Sequence, residues 1–102
     1  MKTGIEIIAE ERERQINVEG WDADHDDIGN NDEQLAMAAV TYAIPSDYRE
    51  YELQIKNTWP WDISWWKPTP NDRIRELAKA GALIAAEIDR LQRMQFNNNG
   101  EQ

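Results

Sequence analysis

Four of the five tryptophans in this chain of 102 residues, Trp59, Trp61, Trp65 and Trp66, fall within eight positions. Lys67 follows them at once, and Arg73, Arg75 and Lys79 come soon after. A small core has use for one or two indoles, so such a cluster suits a flat aromatic ligand. The cations downstream suit a phosphate. Arg75 and Lys79 are four residues apart, which on a helix gives them one face. The start of that helix would add free N–H groups and a favourable dipole for an anion. In this reading the indoles stack on a base, Arg75 and Lys79 hold phosphate, and Arg73 and Lys67 serve as further contacts. Arg12 and Gln15 join from an N-terminal helix, with Trp21 and His25 from the loop after it. The competing reading is that the tryptophans close a small core and the arginines pair with the abundant acids.

Other residues invite other chemistry. Glu10 and Glu13 form an E-x-x-E pair, as in all-helical, Mg²⁺-dependent nucleotide pyrophosphohydrolases of the MazG-like kind. Their expected partner is not clean, because Glu87 and Asp89 are two apart and point to different sides of a helix. Asp22, Asp24, Asp26, Asn30 and Glu33 stand at positions 1, 3, 5, 9 and 12 of an EF-hand-like Ca²⁺ register, but position 6 is Asp27 where the turn needs Gly. His25 beside Asp26 and Asp27 has the makings of a general base, yet no Ser or Thr nucleophile motif accompanies it. No catalytic set is complete, and the reading favours a binder over an enzyme. No cofactor is implied: Mg²⁺ enters only with Glu10, Glu13 and Glu87, and Ca²⁺ only with the acidic loop.

The elements that must position these residues are mostly helical. Residues 4–16 have no Gly or Pro after Gly4 and read as a first helix, with Ile5, Ile8 and Ile16 on one face. Gly20 ends it, and residues 21–31 read as an irregular polar loop. A second helix runs over 32–43, capped by Asn31 or Asp32, with Leu35, Ala38, Ala39 and Tyr42 as its apolar stripe. Pro45 stops it. Residues 46–58 fit a short strand or a short helix, since Tyr51, Leu53 and Ile55 alternate. Residues 59–70 hold three prolines and four tryptophans and read as an ordered loop. Thr69-Pro70-Asn71-Asp72 opens a last helix over 73–94, with Ile74, Leu77, Gly81, Ile84, Ala85, Ile88 and Leu91 as its stripe. The expected fold is therefore mainly α, a compact bundle of three main helices with an ordered Trp/Pro-rich loop. Residues 1–94 form one domain and 95–102 a disordered polar tail. So much apolar girth on the last helix points to a homo-oligomer.

The order Arg12-x-x-Gln15, Glu19-Gly20-Trp21, His25-Asp26-Asp27, Leu35-x-x-Ala38-Ala39-x-x-Tyr42 continues with Trp59-Pro60-Trp61 and Trp66-Lys67-Pro68. It ends in Leu77-x-Lys79-Ala80-Gly81-Ala82-Leu83-Ile84-x-Ala86-Glu87-Ile88-x-Arg90-Leu91. This pattern resembles a family of short proteins encoded by phages and prophages, over most of the chain outside 44–57 and the tail. The resemblance implies expression in the cytoplasm of a bacterial host cell.

Charge and composition narrow the classes. Twenty acids against eleven bases give a formal net charge of −9, which repels nucleic-acid backbones. There are no cysteines, so thiolate chemistry and disulfides are out. No run approaches the ~20 apolar residues of a membrane span. The functional expectation is a phage-encoded protein that sequesters a small nucleotide-like ligand, a signal of host defence. A Mg²⁺-dependent pyrophosphohydrolase and an acidic inhibitor of a host protein are the alternatives.

Overall fold

The computed structural model describes residues 1–49 and 52–99. Five α-helices carry the fold: α1 (Gly4–Asn17), α2 (Ala23–Gly29), α3 (Gln34–Ala43), α4 (Glu52–Thr58) and α5 (Arg73–Asn99). Single 3₁₀ turns at Ser46–Arg49 and Ile63–Trp65 join them, and there is no strand among the described residues. None of these helices is long and apolar enough to cross a membrane.

Local chemistry sets the boundaries. Thr3 and Glu6 form a reciprocal capping box at the start of α1. At its end Gly20 takes φ +76°, and the Trp21 N–H reaches back to the Gln15 carbonyl at 3.0 Å. A glycine in the left-handed region with a six-residue back-bond ends a helix and fixes where the next side chain goes. Here that side chain is Trp21. The Asp22 carboxylate then accepts the His25 N–H at 3.0 Å and starts α2, so the stretch expected to be loop contains two helical turns. The residue before α3 is Glu33, at φ +61° and without a side-chain cap, rather than Asn31 or Asp32. The segment left open between strand and helix holds α4. Tyr51, on which the alternation partly rested, lies outside the described residues.

The core forms where α3 meets α5. Leu35, Ala38, Ala39 and Tyr42 of α3 pack on Ala80, Leu83 and Ala86 of α5, with Trp59 closing the end. Alanines on both sides let the helices approach closely. The α1–α5 contact is tighter still at one point. A Cβ on Gly81 would lie 2.5 Å from the Ile8 Cδ1 atom, so glycine is needed there for α1 to seat.

Two expected faces are turned. In α1, Ile5 and Ile16 are exposed while Glu11 and Gln15 are buried. In α5 the small residues face inward, and Ile74, Leu77, Ile84 and Ile88 remain about half exposed or more. The reason is steric: a face shared with two neighbouring helices accepts alanine, and the large aliphatic residues fall on the other side. Helix α5 also continues to Asn99 and takes up most of the expected tail.

Candidate ligand-binding site

The sequence-predicted indoles divide into two groups. Trp59 is buried, and Tyr42 and Trp66 pack on it with centroids 5.6 and 5.2 Å away. Trp61 stands edge-on to Trp59 at 5.2 Å and carries the stack outward to Trp21 at 6.0 Å. Polar tips are satisfied: Trp59 Nε1 donates to the Asp62 carbonyl at 3.0 Å, and Trp61 Nε1 to Asn30 Oδ1 at 3.1 Å. Trp65 stands apart, with 57 % of its surface open to water. An indole held out in solvent while its neighbours are packed costs apolar exposure, which contact with a ligand would remove.

Trp21 and Trp65 form a wall shared by two cavities. On one side is a cleft of about 390 Å³ lined also by His25, Asn30, Trp61 and Asp62. On the other is a smaller pocket of about 130 Å³, where Glu11, Arg14, Gln15 and Glu19 from α1 and its C-terminal turn face Lys67, Arg75 and Lys79. The smaller space holds a few waters, or one phosphate-sized group, at about 30 Å³ per water.

The electrostatics of that pocket follow from who is already paired. Arg14 is engaged twice, bidentate to Glu11 at 2.8 and 2.9 Å and to Glu19 at 2.9 Å. The Glu11 hydrogen bonds hold the Arg14 guanidinium well above its ordinary pKa. Lys79 is buried, donates to the Lys67 carbonyl at 2.9 Å and lies 5.3 Å from the centre of the Tyr42 ring. Burial, and next the charge of Arg75, push its pKa down. Among the described residues Lys67, Arg75 and Lys79 make no ion pair. With Arg14 matched by two acids, the three other cations leave a local excess of positive charge in an acidic chain. Gln15 adds a second sign of an unmet partner. It is 1 % exposed, lines this pocket, and its Oε1 has no hydrogen-bond partner. A buried amide oxygen left unpaired costs about 1–3 kcal/mol, which a bound donor would recover.

Several expected contacts lie elsewhere. Arg73 donates to the carbonyls of Tyr42 at 2.9 Å, Ile44 at 3.3 Å and Ala43, and so caps the C-terminus of α3. It shares Glu76 with Arg49, whose guanidinium reaches both carboxylate oxygens at 3.0 and 2.8 Å inside the core. Of the free N–H groups expected at the start of α5, that of Arg75 is engaged, donating to the Asp72 carboxylate at 3.1 Å. Arg12 turns inward, donating to the Trp21 carbonyl at 3.0 Å and lying 3.5 Å from the buried Asp26. It supports the cleft without lining either cavity. His25 does line the cleft, with Nδ1 3.4 Å from Asp26 Oδ1.

The acids of the two catalytic or metal alternatives are dispersed. Glu10 pairs with Lys2 at the surface, Glu13 is exposed, and Glu87 is buried in a bidentate pair with Arg90. Asp22 caps α2, Asp24 is exposed, Asp26 points inward and Glu33 sits at the turn into α3. Among the described residues no three acids or histidines converge as metal ligands would. Compared with protein-family models, curated proteins and solved structures, the chain matches none.

Sequence reasoning missed Arg14, Glu11, Glu19, Asn30 and Tyr42. The Glu11–Arg14 spacing of three was a visible helical ion-pair signal. The pairing of Asn30 with Trp61, 31 residues away, had none.

Proposed function

We propose that this chain binds, without turning it over, a small ligand that joins a flat aromatic group to phosphate. The ligand class that fits is a nucleotide-derived signal. The carrying observation is the wall of Trp21 and Trp65, with an aromatic cleft on one side and the Lys67, Arg75 and Lys79 pocket on the other. A base would stack against the exposed Trp65 indole, a contact typically giving about 1–3 kcal/mol. The phosphate would sit against the three cations, where exclusion of water strengthens each charged contact. Gln15 would bond the linking sugar or a phosphate oxygen, its amide turning to offer donor or acceptor.

The resemblance to short phage and prophage proteins supplies the setting. A small protein of this kind, acting inside a bacterial cell, would hold a signal made by the host's defences out of solution. Binding with no chemistry is in keeping with the dispersal of the carboxylates among the described residues.

Depletion from solution tests this reading. The protein is mixed with nucleoside triphosphates, cyclic di- and trinucleotides and cyclic NAD-derived species in the presence of Mg²⁺, then removed by filtration and heated. A compound that leaves the filtrate and returns unchanged on heating is the expected result. Conversion to a new product would replace sequestration by catalysis. A filtrate with every compound still present would overturn the small-ligand reading for these classes and favour an acidic inhibitor of a host protein.

A further inference from the structure

The outward face of α5 carries a pattern that the monomer does not use. Ile74, Leu77, Gly81, Ile84, Ile88 and Leu91 are spaced three, four, three, four and three residues apart. That is a strict heptad seam, with a mean repeat of 3.5 residues, which keeps one narrow stripe in line along a paired helix. In this chain the stripe faces away from the core. Ile74, Leu77, Ile84 and Ile88 are 67, 47, 49 and 51 % exposed, and Ile5 of α1 is 78 % exposed. Ile8 laps over Gly81 at the middle of the stripe.

We propose that this stripe is the seam of a symmetric antiparallel dimer, and that its occupant is α5 of a second copy of this chain. Three observations commit it to a second copy. First, the area fits. Those five side chains leave roughly 500 Å² of apolar surface in water, at the upper end for a lone monomer and over half of the ~800 Å² each partner gives to a standard interface. Second, the seam is complementary to itself. With the two-fold axis between positions 82 and 83, Ile74 meets the second copy's Leu91, and Leu77 meets its Ile88. Ile84 meets the second copy's Gly81, where that copy's own Ile8 already fills the gap and offers an apolar surface. One patch serving both sides is what a two-fold interface requires. Third, the molecule is thin. Its smallest extent is 20 Å, about two helix layers, so one side of its longest helix is left open by its own chain among the described residues, except where Ile8 covers Gly81.

Antiparallel pairing follows from charge. A parallel pair would set Arg73 beside its own copy and align the two helix dipoles. The antiparallel pair opposes the dipoles and moves Arg73 away from its copy, toward a C-terminal half where Arg90 and Arg93 are already matched by Glu87 and Asp27. The seam also leaves the ligand site free. Lys79 lies roughly 160° around the helix from Leu77 at 100° per residue, so the pocket it lines is off the interface, and no α5 residue lines the larger cleft. The dimer is therefore independent of the proposed ligand and would present two separate sites.

Sedimentation equilibrium on the full chain tests the assembly. The expected species at micromolar concentration has twice the 11.9 kDa of the chain. Leu77→Asp combined with Ile88→Asp should raise the dissociation constant at least a hundredfold, with far-UV helicity and tryptophan emission unchanged. A wild-type chain that stays at 11.9 kDa at about 100 µM, where even weak dimers populate, would overturn the proposal. So would a dimer indifferent to the two aspartates. Because the chain has no cysteine, disulfides report the register even if the charged variant fails to fold. Leu77→Cys with Ile88→Cys should cross-link copies on mild oxidation, and Ile88→Cys alone should not. Efficient self-linking of the single variant would overturn the antiparallel arrangement.

Discussion

Two sets of cations and indoles occupy neighbouring stretches of this chain, and they lead different lives. The inner set is Arg49, Arg73, Trp59 and Trp66. Its arginines share the Glu76 carboxylate, Arg73 caps α3, and the Arg49 guanidinium lies 5.3 Å from the Trp66 ring. The outer set is Lys67, Arg75, Lys79, Trp21 and Trp65, which surround two cavities and whose cations make no ion pair among the described residues. A residue's type does not decide whether it builds or binds; the partners already supplied by the fold do. If that division holds, the inner set should govern stability and the outer set should govern affinity.

The largest effect should come from the centre of the inner set. Glu76 is 0 % exposed and also accepts the Thr69 N–H at 3.0 Å. Glu76→Ala strands the buried Arg49 charge and releases the loop before α5, at a cost of about 3–5 kcal/mol. Urea denaturation should show the midpoint falling with the slope unchanged. A midpoint shifted by less than about 1 kcal/mol would mean that water reaches the Arg49 site and that the inner set is not closed.

The tryptophans make the sharper version of the test. Trp59→Ala removes the buried end of the core and should cost about 3–5 kcal/mol. Trp65→Ala should cost under about 1 kcal/mol in stability, since its indole is mostly in water, yet should weaken ligand binding roughly five- to a hundredfold. Calorimetric titration beside thermal melts reads both quantities. Equal losses of stability from the two variants would erase the distinction between the sets.

Lys79 separates binding from stability by sign. Burial holds its folded pKa below the ordinary 10.5, so its charge is lost earlier than a surface lysine's as pH rises. Affinity for a phosphorylated ligand should therefore fall as pH climbs through that folded value. Stability should move the other way. Between the folded pKa and 10.5 the unfolded chain binds more protons, so unfolding becomes harder with rising pH. Lys79→Met should remove both slopes and cost at least tenfold in affinity.

These contrasts also explain what the sequence reveals. Helices α1, α3 and α5 are legible because their spacing and breakers are local: Gly20, Pro45 and the Thr69–Asp72 start stand where the chain turns. The inward side of α5 is not legible, because its apolar girth offers two stripes. Only the packing of α3 and α1 chooses the alanines. The cluster of Arg73, Arg75 and Lys79 reads as one group in sequence, but the α3 carbonyls that claim Arg73 come from about 30 residues earlier. Trp21, Gln15, Trp65, Lys67, Arg75 and Lys79 do meet. Arg14 joins them through an α1 face on which Glu11 and Gln15 replace the expected Ile5 and Ile16, while Ile8 keeps its place against Gly81.

The smallest expected effect tests whether the frame around the cleft matters as much as its lining. Arg93 holds Asp27 by three hydrogen bonds, the shortest 2.8 Å, tying α2 to the far end of α5. Both side chains are partly exposed, so Asp27→Asn should cost no more than about 1 kcal/mol. The Arg93 hydrogen bonds hold the Asp27 pKa below its ordinary 3.8. Its contribution is thus complete well above 3.8 and lost as pH falls through the lower folded value; the Asn variant should lack that part of the acid slope. But α2 also brings His25 to the cleft, and Asn30, just beyond its end, holds Trp61. If Asp27→Asn weakens ligand binding by more than its cost in stability, the tether sets the width of the cleft. If the two losses match, α2 is held by Asp26, Asn30 and Arg12 alone, and the surface pair only adds to the fold.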